Sequence, residues 1–178
     1  IESLSDIESR LKLGADKITI NSKPIIKPEF IERSANEFGS QCIVVSIDAK
    51  IDAHAHAYTV YDHHNSCSTK IDVLDFAKQV EGLGAGEILL NSVDRDGAGM
   101  GYDLNLLNLV ADQVKIPVIA CGGVGEWHHF QEALQKSNVD AVAAANIFHY
   151  RDQSVYLAKK HMYENKLKVR KPDLLTIN

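Results

Sequence analysis

A parallel α/β fold is what the sequence predicts, and three observations predict it. Five short apolar runs rich in β-branched residues lie at residues 18–20, 42–47, 88–93, 117–120 and 141–147. None alternates cleanly between apolar and polar positions, as expected of strands buried on both faces of a helix-covered parallel sheet. Segments with apolar residues at helical spacing separate the runs, giving the order α-(βα)×5 that βαβ units produce. Third, the runs start near positions 18, 43, 87, 117 and 141, about 31 residues apart on average, which is the share of one unit in an eight-fold barrel of about 250 residues. The prediction is a (βα)8 TIM barrel of which residues 1–178 form a single partial domain, its C-terminal part from about strand 4 to strand 8. A doubly wound open sheet is the competing arrangement.

Each element has a local reason. A helix over residues 4–13 opens the chain. Pro28 suits the first turn of a second helix that turns Ile31, Ala35 and Phe38 inward and stops at Gly39. The long step between the second and third runs holds residues 54–61, an alternating stretch expected to form a small excursion strand. Val73, Phe76, Ala77, Val80 and Leu83 mark a helix ending at Gly84. Asp103 is a natural N-cap for a helix burying Leu106, Leu107 and Val110. Trp127, Phe130 and Ala133 form the next stripe, and Val155, Ala158 and Met162 the last. Residues 146–149 fit the short extra helix that often follows a late barrel strand.

Composition narrows the function. With 24 acidic against 19 basic side chains the net charge is −5, which lacks the basic footprint of a nucleic-acid binder. No apolar run approaches the roughly 18 residues of a membrane span, and no export signal is visible. Cys42, Cys67 and Cys121 form no C-x-x-C pair, so a cytoplasmic, reducing setting is expected. The chain begins at Ile1 and has no methionine before Met100, which is expected of a piece of a longer polypeptide.

Sites in such folds gather at the C-terminal ends of strands. The second run ends Ile47-Asp48-Ala49-Lys50; Asp48 is there either an acid/base group or a cap. The next three runs end in Asp94-Arg95-Asp96-Gly97, in Cys121-Gly122-Gly123 and in Ala145-Asn146. Glycines in neighbouring loops let backbone amides approach a phosphate. Gly82 to Gly86 is a connector between helix and strand, since no helix opens from it. The Asp62 to Cys67 stretch, preceded by His54 and His56, has metal-ligand residue types without regular spacing, and Asp94-x-Asp96-Gly97 lacks the rest of a calcium loop. No metal and no cofactor are expected. Cys121 reads as packing, having no histidine paired with it in sequence.

Taken together, Gly14 to Ser22, Phe38 to Lys50, Gly84 to Leu90, Asp94 to Gly97 with Gly101-Tyr102-Asp103, and the Cys121-Gly122-Gly123 loop resemble the cyclase subunit of imidazole glycerol phosphate synthase. The likeness runs in order from Ile1 to about Arg170, with Ile1 just after that family's third strand. It implies a lyase of histidine biosynthesis that takes ammonia from a glutaminase subunit in a heterodimer. The reaction turns phosphoribulosyl-formimino aminoimidazole carboxamide ribonucleotide into imidazole glycerol phosphate and aminoimidazole carboxamide ribonucleotide. The resemblance makes Asp48 one of two catalytic aspartates, the other lying on a first strand outside this sequence. It assigns Asn21 and Ser22 to one substrate phosphate, and Asp96, Gly97, Gly123, Ala145 and Asn146 to the other. Lys17 and Glu87 would belong to a charged ammonia gate, or form a structural ion pair at the same place. Asp16 and Gln41 would lie at the glutaminase interface.

The sequence departs from the family where residues 62–70, normally a loop closing over substrate, carry His63, His64 and Cys67, and where Asn91, Asn146 and Cys121 replace hydroxyl residues. Those changes resemble paralogues of surface-polysaccharide clusters that amidate a nucleotide-linked sugar, the alternative function. A non-catalytic remnant and the sister isomerase of the pathway fit less well.

Overall fold

The computed structural model describes residues 1–52, 57–150 and 155–172. One seven-stranded mixed sheet forms its centre. Strands β1 (Ile18–Ile20), β2 (Ile43–Asp52), β5 (Glu87–Ser92), β6 (Val118–Cys121) and β7 (Ala141–Val142) are parallel and adjacent in chain order. A doubly wound sheet reverses its strand order part-way; among the described strands there is no reversal, so the winding is single. β3 (Ala57–Asp62) and β4 (Cys67–Asp72) are antiparallel and extend the sheet from the far end of β2.

Helices α1 (Leu4–Lys12), α3 (Glu29–Phe38), α4 (Val73–Gly82), α5 (Leu104–Ala111), α6 (Trp127–Lys136) and α8 (Val155–Glu164) connect or flank the strands, with short turns α2 (Ser22–Ile26) and α7 (Ile147–Tyr150). Their ends follow the sequence chemistry. The Asp72 carboxylate accepts from the amides of Leu74 and Asp75, Asp103 accepts from Leu106, and Gly39 leaves α3 at φ +87°.

The two faces of the parallel sheet differ. Ile43, Val45, Ile47, Ile88, Leu90, Val118 and Ala120 are buried and join the helix stripes Ile31, Phe76, Val80, Leu106 and Phe130 in one apolar core. On the opposite face, the aligned registers set Val44 beside Glu87, Ser46 beside Leu89 and Ile119, and Asp48 beside Asn91 and Cys121. That face carries polar groups and is only partly covered, with Ser46, Leu89, Asn91, Ile119 and Cys121 of intermediate exposure.

Four expectations are corrected. The excursion is a hairpin, because the mostly polar residues 67–72 pair with β3 through Asp62↔Cys67 and Tyr61↔Ser68; residues 62–70 are thus the end of its first strand, its turn and most of its second strand, with His54 and His56 outside the described residues. The last run is a two-residue strand, after which only the Ala143 amide continues the ladder, to Ala120. Cys42 lies in a 3-10 turn over Ser40–Cys42 and not in β2. Val155 is exposed, while Ala158 and Met162 of the same stripe are buried. Among the described residues, no helix is long and apolar enough to cross a membrane.

Candidate functional site

Asp48 is the sixth residue of β2 and only 7% exposed, although it is charged. A buried carboxylate needs partners, and it has them on both sides. The Asn91 amide of β5, its register neighbour, donates to Oδ1 at 2.9 Å. Asn21, immediately after β1, donates to Oδ2 at 2.6 Å and to the Ser46 carbonyl at 3.2 Å. The remaining polar atom of the Asn21 side chain, Oδ1, accepts from the Ser22 hydroxyl at 3.2 Å. From the hairpin turn, His63 Nε2 lies 3.5 Å from Asp48 Oδ2.

Two cavities flank this carboxylate row. One, of about 150 Å³, is lined by Asp96 and Gly97 after β5, by Cys121 to Val124 after β6, by Ala144 to Asn146 after β7, and by Asn91. All five residues expected at one phosphate therefore come together. Gly122 and Gly123 take φ of +87° and +101°, backbone space that side chains rarely adopt, and the Gly123 carbonyl accepts from the Gly101 amide at 2.8 Å. The Tyr102 hydroxyl holds the Ala143 carbonyl at 2.9 Å behind the third loop. Asn91 Oδ1 and Ser92 Oγ are buried in this region without a hydrogen-bond partner. The other cavity, of about 240 Å³, is lined by Ser22, Lys23, Ile26, Lys27 and His64 together with Glu2; Glu2 pairs with Lys23 at 3.0 Å.

At the other end of the strands Lys17 and Glu87 form an ion pair, and Asp16 and Gln41 are exposed at that end, just before β1 and β2. Glu87 and Asn91 lie four residues apart on β5, about 13 Å at strand rise. The candidate gate and the candidate catalytic row thus occupy opposite ends of one sheet face. Burial pushes the Cys121 thiol up, with Asp96 and Asp48 adding to the shift, so the thiol stays protonated at neutral pH and is no nucleophile. Among the described residues no three His, Cys, Asp or Glu side chains converge in a metal-type group.

Residues 1–154 match the family described as histidine biosynthesis protein. Over 170 residues, 96% of this chain, it is 46% identical to the imidazole glycerol phosphate synthase subunit HisF of Hydrogenobaculum sp. (strain Y04AAS1) and to that of Bacillus pumilus (strain SAFR-032), covering 67% and 68% of those proteins. The chain belongs to this family. A putative imidazole glycerol phosphate synthase subunit hisF2 of Vibrio vulnificus (strain YJ016) is 47% identical, with 62% of its length covered. The chain thus spans about two thirds of the length of these HisF relatives. None of the three names describes a sugar-amidating protein, so the alternative function gains no support.

In this HisF-family chain, reasoning from sequence did not find two participants. His63 was visible as a departure from the family and within a stretch of metal-ligand residue types, but not as a partner of Asp48, because nothing in the local pattern says how far the turn reaches back over β2. His129, 8% exposed, accepts from the Gly125 and Glu126 amides at 3.1 and 3.2 Å. It thereby closes the first turn of α6, with its ring packed close against Gly101. The signal was a histidine three residues after the N-cap, in the place of a capping-box carboxylate. Burial and the neighbouring His128 hold its pKa below the usual histidine value.

The sign of the pH effect follows. The unfolded chain takes up a proton near pH 6.5, whereas folded His129 resists it, so its contribution is whole above that pH and declines as pH falls toward the lowered folded value. We expect urea midpoints to drop between pH 7 and pH 5 and the drop to shrink in His129→Gln. An unchanged pH slope in that variant would show that another group titrates.

Proposed function

We propose that this chain is the catalytic part of an ammonia-using cyclase and lyase of histidine biosynthesis, forming about strands 4 to 8 of a (βα)8 barrel. The single winding and the helix-covered outer face support the barrel assignment; the sparsely covered face would be its interior. The observation that carries the chemistry is the buried Asp48 carboxylate, fixed by two asparagine amides between two cavities suited to anions.

The substrate is phosphoribulosyl-formimino aminoimidazole carboxamide ribonucleotide, which has a phosphate at each end. The glycine-walled cavity takes one phosphate through backbone amides, which approach closely because Gly97, Gly122 and Gly123 have no side chains. Ser22 with Lys23 and Lys27 takes the other, and the reacting centre is held over Asp48. Asp48 moves protons during ring closure and release of aminoimidazole carboxamide ribonucleotide, the orientation set by the amides making it an efficient general acid/base. Lys17 and Glu87 gate ammonia entering from a glutaminase subunit bound near Asp16 and Gln41, and the reaction needs no metal or cofactor. The setting is cytoplasmic.

The test is turnover of the formimino substrate by the whole protein with ammonium salts, following release of both products. Equal amounts of imidazole glycerol phosphate and the carboxamide ribonucleotide are expected. A folded protein that releases neither would overturn the proposal.

A further inference from the structure

Asp48 cannot complete a catalytic cycle through its asparagine neighbours. Carboxamides hold a carboxylate in place, but they neither take up nor release protons near neutral pH. Of the side chains that the described structure brings to this carboxylate, His63 alone is an imidazole, a group built to accept a proton at one ring nitrogen and release it again.

The hairpin presents His63 in a fixed way. β3 and β4 close through Asp62↔Cys67, leaving a four-residue turn in which Ser66 takes φ +52°. The Asp62 carboxylate braces it, accepting from the His64 amide at 2.9 Å and from the Asn65 side chain at 2.7 Å. The Asn65 bond above all holds its carboxyl below the usual range, so the brace is ionised whenever the protein is near neutral. The His63 ring meets the Tyr61 ring edge-on at 4.9 Å, and Lys50 Nζ sits 5.2 Å from the centre of that same Tyr61 ring. From β2, therefore, His63 faces the Asp48 carboxylate, with the Lys50 ammonium one ring away; on its own hairpin its charged or titratable neighbours are Tyr61, Asp62 and His64. The two ends of the contact differ sharply in solvent access, the Asp48 side chain being 8% exposed and that of His63 55%.

We propose that His63 is a positioning residue that relays protons between Asp48 and bulk water. This rests on the reading of Asp48 as the acid/base group. When Asp48 has taken a proton from substrate, its Oδ2–H bond breaks as the proton bonds to Nε2 of neutral His63; the imidazolium then releases a proton to water or buffer. The net result is an ionised Asp48, a neutral His63 and one proton in solution, and the reverse sequence reloads Asp48 when the cycle needs an acid.

The test uses the whole protein with ammonium salts and the formimino substrate. His63→Gln keeps a polar side chain of similar reach but cannot carry a proton; its kcat should fall at least tenfold with KM within twofold. Added imidazole should restore kcat in proportion to its concentration, a response that a purely structural role would not give. A His63→Gln enzyme with wild-type kcat, beside an inactive Asp48→Asn, would overturn the relay alone; wild-type turnover by Asp48→Asn would overturn the reading beneath it. A readout independent of turnover is the NMR signal of His63 Nε2, which should move between the wild type and Asp48→Asn because the two side chains are in contact; an unmoved signal would overturn the pairing.

Discussion

Replacing Asp48 with asparagine is expected to lower kcat by roughly 10²- to 10⁴-fold, the usual worth of a positioned general acid/base. The change is nearly isosteric and removes a buried charge, so the loss should not come from unfolding. One local conflict arises, because Asn21 and Asn91 both donate to the present carboxylate and the new amide offers only one acceptor. Asn91 can resolve it by rotating its side chain, since its Oδ1 has no partner and can accept the new N–H. A melting temperature close to wild type together with a collapsed kcat is the expected pair of results. A variant that melts early and keeps its residual kcat per folded molecule would make Asp48 a structural carboxylate.

Gly123→Ala should be nearly as damaging by a different route. At φ +101° the added methyl is strained, about 1–3 kcal/mol for a side chain forced into that region, and it would collide with the Gly101 carbonyl while sitting 3.0 Å from Arg95 Cβ. The Gly101 amide that bridges to the Gly123 carbonyl would be displaced together with the cavity wall. We expect a stability loss of about 1–3 kcal/mol by urea unfolding and loss of measurable inorganic phosphate binding by calorimetry. Full phosphate binding in this variant would move the anion site elsewhere.

The parallel strands were legible because their apolar runs are short and nearly uninterrupted, even though one face is only partly covered; β2 and β5 read directly from Ile43 to Ile47 and from Ile88 to Leu90. Asp48 was legible as a site residue for a related reason, being a charge placed where an apolar run ends. The hairpin was half legible. Ala57 to Asp62 shows some alternation, but Cys67 to Lys70 is polar on both faces and becomes a strand only by pairing. α2 has five residues with Pro24 inside it, too short to display a helical period. The Asn21 contact with Asp48 joins residues 27 apart, and the His63 contact depends on the curl of a turn. Neither distance is encoded in local pattern. The short β7 reflects an alanine-rich run whose small side chains fit strand and turn alike, and just past its end the Tyr102 hydroxyl donates to the Ala143 carbonyl.

The sheet keeps its apolar core on the helix-covered face and its hydrogen-bonded carboxylate row on the other, while the hairpin hangs from the far end of β2. Its turn, residues 63–66, is exposed and contributes nothing to the core under the helices. Evolution can therefore rewrite what approaches Asp48 without renegotiating foldedness. A lineage in which those few turn positions diverge would explore new chemistry from a scaffold already secured.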